Sequence, residues 1–283
     1  MEGIFVSMKK LGSLFLCLML AQATFAQKPE HSNEIGIFIG CAYYIGDLNP
    51  TGHFGPLTQP AVGGIFRHNF NTRFAVKANV YVGNIEGDDA RTSSASQQDR
   101  NLSFKSYIRE LGAQAEFNFL EYKTGSSKHP YTPYLFGGIA VFMFDPMAQV
   151  GNNWIDLQSI GTEGQGTKLG GKKYKLTQIS LPFGAGLKLS MAKRICLSLE
   201  WGMRKTFTPY LDDVSGNYAD AAVLAQNGPY AVILGDRSIS KDPAKSRVGS
   251  ERGNGGKSDW YSFAGVILSF QLKNKEKHCY SYN

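Results

Sequence analysis

The residues best suited to chemistry are five histidines, His31, His53, His68, His129 and His278, and none has a partner at metal-ligand spacing. None stands beside a serine or carboxylate in a pattern that marks a hydrolase; the nearest material for one is His53 or His68 with a serine that sequence cannot place. Asp88-Asp89 and Asp212-Asp213 offer the hard oxygens that calcium takes. Adjacent aspartates diverge on an extended chain, so they serve more often as caps and turns. Gly253-Asn254-Gly255-Gly256-Lys257-Ser258 imitates a phosphate loop, but that motif needs a glycine where Glu251 stands. Gly161-Thr162-Glu163-Gly164-Gln165-Gly166 lacks the GxGxxG spacing and a following helical pattern, so both runs read as loops. No catalytic residue, cofactor or metal is implied.

The elements that position these residues are strands. A charged fraction of 19% beside Gly 32, Tyr 14 and Phe 18 in 283 residues favours many strands and turns. The net charge of +7 comes from scattered basic residues, which argues against a nucleic-acid partner. At the N-terminus, Lys9-Lys10, the apolar run 11–21 and Thr24-Phe25-Ala26 compose a signal peptide over residues 1–26. Met8 opens a more typical signal than the seven residues before it. Cys17 is not a lipoprotein site, because Leu16 is bulky and the apolar run continues past the cysteine. Cys41, Cys196 and Cys279 then remain, an odd number without a CxxC pair, which implies neither a disulfide framework nor a zinc site. No later stretch approaches the roughly 20 apolar residues of a spanning helix, so a membrane role demands a closed barrel.

Period-two alternation is strong. Ile35, Ile37, Ile39, Cys41, Tyr43 and Ile45 share one face, opposite Gly36, Gly40, Ala42 and Gly46. Phe74, Val76, Ala78, Val80 and Val82 oppose Arg73, Lys77, Asn79 and Tyr81. Leu111, Ala113, Ala115, Phe117 and Phe119 oppose Glu110, Gly112, Gln114, Glu116 and Asn118. Ile195, Leu197, Leu199, Trp201 and Met203 oppose Arg194, Ser198, Glu200 and Arg204. With 61–70, 134–144, 178–190 and 260–273 this makes about eight strands, each near or above the roughly 9 to 11 residues that cross a bilayer.

The polar face decides between a soluble and a membrane barrel. Bulky aliphatics line one face, while the other mixes glycine with charges of both signs, as a narrow lumen facing away from lipid would. Lys77, Glu110, Glu116, Glu200 and Arg204 are therefore expected to pair inside as a charge network. Connections are short or moderate after strands two, four and six (Asn71-Thr72, 121–130, 191–193) and long after one, three, five and seven, which places both termini in the periplasm. The last long loop, 208–258, is far above ordinary loop lengths and marks function, disorder or both. Tyr43, Tyr44, Tyr81, Tyr107, Tyr134, Trp201, Trp260 and Tyr261 are placed as interfacial girdles.

The expected organisation is all-β: a signal peptide 1–26, a transmembrane antiparallel up-and-down barrel of about eight strands over 27–273 with long extracellular loops, and a periplasmic tail 274–283.

Several segments resemble one family. They are 43–50, 100–104, 114–120, 132–136, 161–166 and 200–215, with Trp201-Gly202-Met203-Arg204-Lys205-Thr206-Phe207, the loop Tyr210, Leu211, Asp212, Asp213 and the run 259–265 the most specific. Over nearly the whole mature chain the sequence is similar to the Bacteroidota outer-membrane barrel family that includes PorG, a component of the type IX secretion system. The resemblance implies a non-enzymatic outer-membrane component that contacts a periplasmic ring built of a lipoprotein and a soluble partner. Partner contacts are then expected at the short-turn end and tail, with Lys123, Lys128, Lys193 and Cys279 as candidates. Outer-membrane lipid is the other expected partner. A lipid-modifying or lipid-sensing barrel enzyme is the alternative function, and a small channel the third.

Overall fold

The computed structural model describes residues 31–50, 52–240 and 246–273. The expected signal peptide, the tail 274–283 and Cys279 lie outside the described residues. Ten strands follow in chain order: β1 (Ser32–Ile45), β2 (Gln59–Asn69), β3 (Phe74–Asp88), β4 (Ser103–Asn118), β5 (Tyr131–Met143), β6 (Pro146–Val150), β7 (Asn153–Asp156), β8 (Thr177–Ala192), β9 (Ile195–Thr206) and β10 (Trp260–Gln271).

Eight of these close a barrel. Every pairing is antiparallel, β1 bonds to both β2 and β10, and the β3–β4 pairing shuts the ring through β5, β8 and β9. The short β6 and β7 form a hairpin that continues from β4 at the long-loop end. Barrel strands run from 11 to 16 residues, enough to cross a bilayer at the usual tilt. Among the described residues no helix is long and apolar enough to cross a membrane, so any crossing falls to the strands.

The alternation has the sense expected of a membrane barrel. Ile37 is 63% exposed and Leu111 62%, with Ile39, Val80, Ile139 and Leu268 also bare on the outer wall. Arg67, Lys77, Lys188 and Arg204 are at most 1% exposed, inside. Water would reverse that arrangement, because burying aliphatic surface is favourable and burying unpaired charge is costly. The outward band is therefore a lipid-facing one, and the fold is that of outer-membrane β-barrels.

Inward glycines make room for rings. Phe136 on β5 lies across Gly184 on β8 and Gly202 on β9, where an added Cβ would stand 2.7 and 2.6 Å from its Cζ. Phe38 covers Gly40 and Gly265 in the same way. The apolar core sits at the long-loop end, where Tyr44, Ile85, Phe104, Ile108 and Phe142 from the strands meet Leu48, Leu102, Leu211, Val214 and Leu234 from the loops.

One expectation is corrected. Of the eight proposed girdle aromatics, Tyr44, Tyr81, Tyr134 and Tyr261 are at most 1% exposed and point into the barrel. Three of those phenols find buried carboxylates, Asp212, Glu200 and Glu110, which explains why a polar-tipped ring occupies an inward position. Tyr107 and Trp201 do face outward. The last long loop, whose order the sequence left open, carries in its described parts the short helices Ala221–Leu224 and Pro229–Gly235 and buries Leu211, Val214 and Leu234.

Candidate functional site

Strand alternation delivers eight buried charged side chains to the barrel interior, four acids and four bases among the described residues. Near the short-turn end Glu34 on β1 accepts from Arg67 on β2 at 2.9 Å, and Arg67 also meets Glu116 on β4 at 2.8 Å. Lys188 on β8 reaches Glu116 at 2.6 Å and the Asn118 amide oxygen at 3.0 Å. Halfway up, Lys77 on β3 is ion-paired with Glu200 on β9 and stands 3.6 Å from Glu116. The Tyr134 hydroxyl donates to Glu200 at 2.7 Å. Higher still, Arg204 on β9 meets Glu110 on β4 at 3.1 Å, and Glu110 also accepts from Asn79 and Tyr261, each at 2.8 Å.

Balanced, bonded charges of this kind hold strands together and leave no single-sign ring of the sort that selects ions. Lys77, Glu110, Glu116, Glu200 and Arg204 thus all occupy the interior. Sequence reasoning passed over Glu34, Arg67 and Lys188. Arg67 sits between Phe66 and His68, and Lys188 between Leu187 and Leu189, so parity within strands already recognised was the available signal.

The short-turn mouth is plugged by the 119–130 connection, whose Tyr122 and Thr124 are buried and whose Thr124 hydroxyl donates to Glu34 at 2.8 Å. Lys123, Lys128 and Lys193 are exposed at this end.

At the other mouth the loops are stitched into a cap. Tyr44 donates to Asp212 at 2.5 Å, and Leu211 N–H donates to Asp259 at 2.9 Å. Asp213, at φ +64°, accepts from the Tyr174 hydroxyl at 2.7 Å and from Thr162. Arg252 donates to the Asp213 carbonyl at 2.7 Å and to Glu163 at 2.9 Å. Arg100 grips Asp89 at 2.8 Å and the Asp47 carbonyl at 3.0 Å. Residues from all four long connections therefore share one bonded layer. The motif residues Leu211, Asp212 and Asp213 are buried pegs within it, while Tyr210 stacks on Tyr174 at 4.7 Å. Burial pushes the Asp212 carboxyl up to about 8, against the hydrogen bond from Tyr44, and burial likewise raises Asp213 to about 6.

Neither His53 nor His68 is placed against a serine. His53 meets the Tyr43 hydroxyl at 3.0 Å and His68 the Asn33 amide at 2.6 Å, so their partners are a phenol and an amide rather than a serine. Asp88 caps the turn at Ala90, and Asp89 is taken by Arg100, which is turn and ion-pair duty rather than cation binding. Among the described residues no three His, Cys, Asp or Glu side chains are grouped to hold a metal.

Residues 9–227 match the family described as a domain of unknown function, DUF6089. The chain belongs to the DUF6089 family. The DUF6089 match takes in β1 to β9 and ends inside the last long connection. No curated protein matches the chain in sequence. Solved structures similar to this DUF6089 barrel include Ail, the attachment invasion locus protein of Yersinia pestis, at 11% identity and a TM-score of 0.38 over 87% of this chain and 99% of that one. Neisserial surface protein A gives 10% and 0.37 over 86% and 97%. Outer membrane protein OprG from Pseudomonas aeruginosa gives 10% and 0.35 over 86% and 98%. At such TM-scores the likeness carries no argument, and the fold rests on the strand pairing described above.

Proposed function

We propose that this DUF6089 barrel is a structural and assembly component of the type IX protein secretion system in the outer membrane. Its short-turn end contacts the periplasmic ring, formed by a lipoprotein and a soluble partner. The observation that carries a non-enzymatic role is the bonded interior, where eight paired charges tie the barrel strands to one another beneath a stitched cap. The sequence resemblance to the PorG-containing family supports the choice of machine. Lys128 and Lys193, exposed beside the plugged mouth, support the choice of docking end.

The test is affinity purification of a tagged copy from outer membranes after mild crosslinking, with mass spectrometry of what it retains. The ring lipoprotein and its soluble partner are the expected catch, reduced by Lys128→Glu with Lys193→Glu. A correctly inserted barrel that retains neither, together with normal cargo export from a deletion strain, would remove the proposal.

A further inference from the structure

The described part of the connection after β1, residues 46–50 and 52–58, does not stay above the barrel rim. It folds down the outer wall, so that His53 hydrogen-bonds the outward Tyr43 at 3.0 Å and Phe54 packs on the same ring at 5.1 Å between centroids. Trp201 of β9 completes the strap, its indole N–H donating to the Tyr43 hydroxyl at 2.8 Å. Above the strap, between this connection and the last long one, opens a cleft of about 510 Å³. Trp260 and Lys205 are cross-strand partners at its wall, with the ammonium 5.9 Å from the indole centroid, and Lys257 and Ser258 come from the last connection.

The charges in this cleft are unequally committed. Asp47 accepts from Asn254 N–H at 2.7 Å, and Asp259 is buried against Leu211 N–H and Tyr44. Lys205 and Lys257 have no acidic partner among the described residues, although elsewhere on the outer rim Lys105 meets Glu86 at 3.3 Å and Arg109 meets Asp145 at 3.7 Å. Two bare ammoniums, an amphipathic indole at the top of a lipid-facing strand and a hollow much larger than one phosphate match an anionic headgroup at the membrane boundary.

We propose that this cleft seats the phosphorylated headgroup of an outer-leaflet glycolipid, with the phosphate between Lys205 and Lys257, the sugar against Trp260 and the acyl chains along the apolar wall of β9 and β10. Phe183, whose ring meets Trp260 edge-on at 6.0 Å, continues the apolar wall below. The inference rests on the outer-membrane placement and is independent of any secretion role.

The test uses the full-length protein in detergent and native mass spectrometry. The probes are a bis-phosphorylated disaccharide lipid, its dephosphorylated form and inorganic phosphate. One phosphorylated lipid is expected to stay bound. Lys205→Gln with Lys257→Gln should weaken it roughly thirtyfold, and Lys257→Gln alone, in an exposed loop that the barrel does not need to fold, roughly fivefold. Lys172→Gln, exposed in the connection before β8 and outside the cleft, should bind as the wild type. Equal retention of the dephosphorylated lipid, displacement by inorganic phosphate at comparable concentration, or unchanged binding by the Lys257→Gln variant would each overturn the proposal.

Discussion

Arg204 on β9 and Glu110 on β4 belong to strands that share no ladder, yet their side chains meet across the barrel at 3.1 Å with both fully buried. Together with Lys77 and Glu200, on β3 and β9, they tie opposite walls through the interior. A barrel held only by its strand ladders would resist deformation of neighbours; these pairs resist flattening of the whole ring.

Arg204→Ala is accordingly expected to destabilise the barrel by about 3 to 5 kcal/mol, because it strands Glu110 in a buried site. Unfolding of detergent-solubilised protein, followed by the heat-dependent shift in gel mobility, checks it. Arg204→Ala combined with Glu110→Gln should recover part of the loss, since no bare charge then remains. A single variant as stable as the wild type would mean that the pair contributes nothing.

Gly184 faces inward where a Cβ would stand 2.2 Å from the Trp201 carbonyl and 2.7 Å from Phe136. Gly184→Ala should cost about 1 to 3 kcal/mol through overpacking. Gly64 is the matched control, its nearest neighbour to an added Cβ being 3.9 Å away, so Gly64→Ala should change stability by less than about 0.5 kcal/mol. Urea midpoints of the two variants give the comparison, and equal midpoints would contradict the packing argument.

The cap should loosen as pH rises. Burial lifts Asp212 to about 8 and Asp213 to about 6 in the folded chain, above the ordinary carboxylate value of 3.8. The folded state therefore holds protons that the unfolded chain releases, so their contribution is complete below about pH 4 and is lost as pH climbs through 6 to 8. Hydrogen exchange of residues 208–216, corrected for the intrinsic rate, is expected to be faster at pH 9 than at pH 5. Asp212→Asn should narrow that difference to the part that Asp213 contributes, since the amide oxygen still accepts from Tyr44. Identical protection at both pH values would rule the effect out.

The barrel was legible because lipid and lumen impose opposite chemistry on alternate residues, as Ile37 and Phe38 on β1 or Leu111 and Glu110 on β4 illustrate. The alternation of short and long connections was equally open to reading. Tyr134 and Tyr261 were misplaced because a tyrosine suits both a membrane boundary and a buried carboxylate, and only cross-strand register tells the two apart. The cap lay beyond local pattern altogether. Arg252 finds Glu163 through a contact 89 residues distant in sequence, and no periodicity in a loop encodes such a partner. The outer cleft escaped for the same reason, since Lys205 and Lys257 come together only after the last connection folds over the rim.

The central claim, a barrel crossing the outer membrane with its long connections outside, is tested most directly by labelling intact cells. In a background of Cys41→Ser, Cys196→Ala and Cys279→Ser, a single cysteine is placed at Leu169 in one long connection or at Lys193 in a short turn, both exposed positions. A maleimide carried on a polymer too large for porins should modify Leu169→Cys in intact cells and Lys193→Cys only after lysis. Labelling of both in intact cells, or of Lys193→Cys alone, would contradict the account.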